Sequence, residues 1–139
     1  MALTSDQSYP RRGLKANGTE FGYPVAPGET VYRGSLCLVN ATGQLQRLQT
    51  AGGVALAGLA EAQLNNAGNA AASSTNVTAL RGTFGIPVPG ATVSNIGASV
   101  YATDDGSFQL TVPAGGYVAA IGTIVGLENG LTYVKLLNS

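Results

Sequence analysis

From Tyr23 onward, turn-forming residues punctuate this chain at such short intervals that nothing between them has both the length and the period of a helix. Each interval reads instead as a short extended segment. Pro27-Gly28 suits a type II turn, with proline setting φ and glycine supplying the positive φ that follows. Residues 30–33 and 35–39 are predicted strands, Asn40-Ala41-Thr42-Gly43 is a turn, and residues 44–48 return as the partner strand. Residues 54–62 are apolar and Ala-rich, a pattern that a short helix shares; Gly52-Gly53 before them and Gly58 within them favour a buried strand.

Residues 65–74 are small and polar, a loop by composition, and 76–80 form the next predicted strand. Residues 83–88 are extended, but Pro87 and Pro89 place this segment at an edge or at a crossing between sheets. Residues 98–103 and 107–112 flank Asp104-Asp105-Gly106 as a hairpin. In its second arm Phe108, Leu110 and Val112 alternate with Ser107, Gln109 and Thr111. Residues 117–128 and 131–137 flank Asn129-Gly130, the dipeptide best suited to a two-residue type I′ turn. Around nine short strands with Gly/Pro turns predict an all-β fold: a β-sandwich or jelly roll, or a small β-barrel. The chain divides into an extended N-terminal arm, residues 1–17, and a single all-β domain, residues 18–139.

Composition narrows function. Histidine is absent from the 139 residues, and most hydrolytic triads, general bases and zinc sites use imidazole. The lone cysteine, Cys37, builds neither an internal disulfide nor a CxxC site, and its apolar neighbours Leu36, Leu38 and Val39 make it a small buried hydrophobe. Asp104-Asp105 reads as hairpin turn rather than calcium or catalytic site, and the glycine clusters lack the Lys-Ser/Thr ending of a phosphate loop. No enzyme, cofactor or metal is expected. Seven Lys and Arg balance seven Asp and Glu, leaving no excess of cations for a duplex nucleic acid. Residues 1–7 hold no apolar signal core, and turns interrupt both long uncharged runs, so the expectation is a protein retained in the cytoplasm where it is made, with no membrane contact.

The arm is locally basic through Arg11, Arg12 and Lys15. It reads equally as a frayed terminus or as a segment that orders on a partner through Tyr9, Leu14 and Phe21. Low charge and a mean hydropathy of +0.18 suggest that another molecule covers some apolar surface, although Asn, Gln, Ser and Thr would also solvate a monomer.

Several stretches recur in a recognisable order: Tyr23-Pro24-Val25-Ala26-Pro27-Gly28-Glu29-Thr30-Val31-Tyr32-Arg33-Gly34, then Leu56-Ala57-Gly58-Leu59-Ala60-Glu61, then Val77-Thr78-Ala79-Leu80-Arg81-Gly82. Ile96-Gly97-Ala98-Ser99-Val100-Tyr101-Ala102-Thr103-Asp104-Asp105 follows, and Val118-Ala119-Ala120-Ile121-Gly122-Thr123-Ile124-Val125-Gly126 ends the series. From about Tyr23 to Leu137 this order resembles the capsid decoration, or cement, proteins of tailed bacteriophages. The resemblance weakens in the arm and in the 65–74 loop.

The resemblance implies a small all-β protein without catalytic residues. Such a protein is made in the host bacterial cytoplasm and bound, as a homodimer or homotrimer, to the outer surface of the virion head. Its partner would be the major capsid protein, clamped where neighbouring subunits meet. The capsid-contact candidates are Tyr9, Arg11, Arg12, Leu14, Phe21 and Tyr23, since Tyr and Arg often dominate interfaces. The segment around Pro87 and Pro89 and the 65–74 loop are secondary candidates. The alternative is a tail or fibre accessory β-domain that binds a host glycan, which the absence of Trp disfavours. A small glycan hydrolase is the remaining rival and would need two carboxylates facing one cleft.

Overall fold

The computed structural model describes residues 1–12 and 20–137. Its strands are β1 (Arg11–Arg12), β2 (Phe21–Pro24), β3 (Thr30–Val31), β4 (Leu36–Asn40), β5 (Leu45–Arg47), β6 (Gly53–Ala60) and β7 (Leu64–Asn65). They continue as β8 (Asn76–Leu80), β9 (Thr83–Ile86), β10 (Ser99–Asp104), β11 (Ser107–Gln109), β12 (Gly122–Glu128) and β13 (Leu131–Leu136). A single 3₁₀ turn, Val93–Asn95, is the only helical element among the described residues. The protein is all-β.

Six strands form one sheet in the order β1-β9-β13-β12-β10-β11, five form a second in the order β2-β8-β6-β4-β5, and β3 pairs with β7. Every named pairing is antiparallel. Side chains alternate between faces along a strand. In β4, Leu36 and Leu38 therefore join Phe84, Ile86, Val100, Ile124 and Val134 of the larger sheet in one core. Cys37, from the opposite face of β4, enters a second core with Val25, Val31, Leu45 and Val77. The five-stranded sheet is thus buried on both faces, which explains the unbroken apolar run 36–39. Each large side chain so buried contributes about 1.5–3 kcal/mol.

The helix-like pattern at 54–62 comes from a bulge in β6. Leu56 and Leu59 face the first core while Ala57 and Ala60 face the second, a spacing of three that strict alternation forbids. Cys37 pairs with Gly58 and Leu38 with Leu56, so Ala57 is the extra residue. Gly58 has φ 141°, and a Cβ there would lie 2.2 Å from the Leu80 carbonyl oxygen. Only glycine fits that turn of the strand.

Three expectations need correction. Of the two alternatives for residues 83–88, the edge is excluded, since β13 pairs with β9 on one side and β1 on the other. The chain does cross between sheets just before it, from β8 to β9. β9 ends at Ile86, so Pro87 and Pro89 fall beyond the ladder and remove none of its bonds. The hairpin strand after Gly106 stops at Gln109, whose side-chain amide donates to the Thr111 carbonyl at 2.8 Å, and Val112 is exposed. The last hairpin starts at Gly122 rather than at residue 117. Its turn has φ 53° at Asn129 and 78° at Gly130, as a type I′ turn requires.

Candidate functional site

The first twelve residues lie along the two-sheet body as a strap. At one end the Leu3 N–H donates to Asp105 Oδ1 at 2.9 Å. Midway, the Gln7 N–H donates to the Arg33 carbonyl at 2.7 Å and Asp6 Oδ1 accepts the Arg33 N–H at 2.9 Å. At the other end the Pro10 carbonyl accepts the Gly85 N–H at 2.9 Å, and Arg11 and Arg12 pair with Phe84 and Thr83. Two glycines admit this path: a Cβ on Gly34 would lie 2.6 Å from the Gln7 carbonyl oxygen, and one on Gly106 would lie 2.6 Å from Leu3 Cδ2.

Asp105 fastens the strap. Fully buried, it accepts hydrogen bonds from Leu3 N–H, Ser35 Oγ (2.7 Å), Arg47 Nε (2.7 Å) and Arg47 Nη2 (3.1 Å). Its own N–H reaches Gln49 Oε1 at 2.9 Å, and its carbonyl accepts from Leu36 N–H at 3.0 Å. Through its carboxylate and its backbone, Asp105 so joins the strap, the start of β4, β5 and the β10–β11 turn. Burial lowers the affinity of Arg47 for its proton, and the hydrogen bond and charge of Asp105, with Glu29 and Tyr32, more than restore it. The neighbouring Asp104 caps Gly106 N–H at 2.9 Å. The turn reading of Asp104 describes its local bond. That of Asp105 missed its structural role, since burial is a property of the fold and no sequence spacing marks it.

The contact candidates disperse. Tyr9 is half-buried, edge-on to Phe108 with ring centroids 6.5 Å apart. Burial, then the charges of Asp105 and Asp104, raises its hydroxyl above the usual tyrosine range. Arg11 binds Glu20 Oε2 at 2.6 Å and the Arg81 carbonyl, with its guanidinium 5.2 Å above Phe84. Arg12 is exposed, paired with Glu128 at 2.6 Å and stacked 4.9 Å over Tyr133. Phe21 is 52% exposed beneath Arg81. Tyr23 packs on the second core. Leu14 and the rest of 13–17 lie outside the described residues. Tyr9, Arg11 and Tyr23 thus support the body, while Arg12 and Phe21 face outward.

Arg47 also stacks on an aromatic ring, 5.4 Å from the centroid of Tyr32. Arg11, Arg12, Arg47 and Arg81 therefore spend their charge within the molecule. Large apolar side chains remain on the surface: Val93, in the 3₁₀ turn, is 73% exposed, Val112 60% and Ile96 50%, all between strands. Pro87 and Pro89 are exposed around buried Val88. Loop 65–74 curves around an open concavity of about 560 Å³ with no charged or aromatic lining. Burial holds the Cys37 thiol well above its usual range. Among the described residues no group of three or more His, Cys, Asp or Glu is placed to hold a metal ion, and no helix is long and apolar enough to cross a membrane.

Comparisons with protein-family models, with curated proteins and with solved structures find no match to this chain.

Proposed function

We propose that this chain is a non-enzymatic capsid cement protein. It binds the outer surface of a tailed-phage head and clamps neighbouring major capsid protein subunits, as a homodimer or homotrimer. The observation that carries the reading is the surface: arginines engaged by the chain's own rings and carboxylates, with valine and isoleucine left facing water. Isolated exposed apolar residues are ordinary, but their combination with so little free charge suits adhesion to another protein rather than to a polyanion. Contact with two subunits makes the second contact intramolecular, so retention exceeds the strength of either contact alone. The seam is then held closed against internal DNA pressure.

The test is to titrate the protein onto expanded shells that lack it and then heat them. Saturation at a fixed ratio with a raised rupture temperature is the expected result. Binding without added strength would make it decoration only, and no binding would overturn the proposal and favour a screen of host glycans.

A further inference from the structure

A cavity of about 220 Å³ lies beneath the strap, between residues 7–9 and the two sheets. Its apolar wall is made by Tyr9, Leu59, Leu80 and Phe84, and Arg33 and Glu61 stand on its rim. The strap residues Gln7 and Ser8 also line it and are themselves exposed. Close packing is the rule in protein interiors, so apolar walls facing unfilled space forgo contacts that an occupant would restore.

The rim is as informative as the wall. Arg11, Arg12 and Arg47 are ion-paired, and Arg81 is bonded to the Ala57 carbonyl and stacked on Phe21. The side chains of Arg33 and Glu61 are exposed and take part in no ion pair or hydrogen bond among the described residues. Two free charges of opposite sign thus flank one apolar cavity.

We propose that this cavity receives a single large apolar side chain from an extended segment of a partner protein, with an acidic neighbour in that segment meeting Arg33 and a basic one meeting Glu61. The volume is below that of drug-sized ligand pockets and suits one side chain. A wholly apolar small molecule would leave both rim charges unused; an extended peptide carrying both signs uses wall and rim together. The inference does not depend on the partner being a shell subunit.

The probes are Ac-Thr-Glu-Leu-Lys-Thr-amide and its charge-reversed counterpart, Ac-Thr-Lys-Leu-Glu-Thr-amide, titrated into the nitrogen-15-labelled full chain at low salt. One of the two should shift the amides of Gly34, Ala60, Glu61 and Phe84 together. Replacing its leucine by alanine should weaken binding about tenfold, the loss expected for an aliphatic side chain taken out of water. The R33Q/E61Q double variant changes two exposed side chains and leaves the fold intact; it should bind about fivefold more weakly and with less salt dependence. Failure of both peptides to move those amides would overturn the proposal. Equal binding of the alanine peptide, or by the double variant, would overturn it too.

Discussion

Residues 1–12 and 65–74 are both polar segments that hydropathy leaves without structure, yet each has one buried polar side chain among its anchors. The strap is held from outside, by the body's Asp105 in an ion pair with Arg47. The loop is held from within, by its own Asn66. That amide donates to the carbonyls of Val25 (3.2 Å), Ala26 (3.0 Å) and Ala71 (3.0 Å), and its Oδ1 accepts from Asn69 at 2.8 Å. The difference lies in charge. Losing Asp105 would leave a guanidinium largely buried without its counter-ion; losing Asn66 would cost only neutral bonds. The strap is therefore coupled to the whole molecule, and the loop only to its own neighbourhood.

The sharpest way to break this comparison is to remove both anchors. Asp105→Ala is expected to destabilise the fold by about 3–5 kcal/mol, the usual cost of stranding one member of a buried pair. Urea unfolding measures it, and a loss under about 1 kcal/mol would show that Asp105 is no keystone. Asn66→Ala should cost about 1–3 kcal/mol, with faster amide exchange confined to the loop. Exchange spreading into both sheets would erase the distinction.

Alkaline pH sharpens the comparison further. The Cys37 thiol, ordinarily near 9.0, and the Tyr9 hydroxyl, ordinarily near 10.0, are both raised in the folded chain. The unfolded chain therefore releases these protons first, and stability is full below about pH 9 and falls above it, by up to about 1.4 kcal/mol per pH unit for each group. Urea midpoints from pH 7 to 10.5 should show the decline. Cys37→Val should remove its onset near pH 9, and Tyr9→Phe the added slope above pH 10. The smallest effect belongs to Arg12→Gln: this pair with Glu128 is solvent-exposed, so the urea midpoint should not move measurably.

Much of the fold was legible because turns and strands leave local marks. Asn129-Gly130 and Pro27-Gly28 each specify local geometry, and the apolar run 36–39 matched a strand buried on both faces. The bulge at Gly58 was not legible. It imposes a three-residue spacing on Leu56 and Leu59 that imitates a helix, and only the partner strand reveals it. The path of the strap leaves no local mark in the sequence, because its ordering contacts come from residues far along the chain: Arg33, Arg47, Gly85 and Asp105. The same distance hid the cavity under it, since Tyr9, Leu59 and Phe84 meet only in three dimensions. Of the six contact candidates, Tyr9, Arg11 and Tyr23 are turned to internal use, Arg12 and Phe21 face outward, and Leu14 lies outside the described residues.

The central claim is a clamp that grips through neutral surface, and its most direct test is occupancy on expanded shells at about 0.05 M and 0.5 M salt, a range over which exposed charge pairs are strongly screened. Bound copies per capsid subunit are counted at each. The account predicts one fixed ratio with nearly the same affinity at both salts. Absence of binding at either salt, or binding that collapses in the higher one, would contradict it.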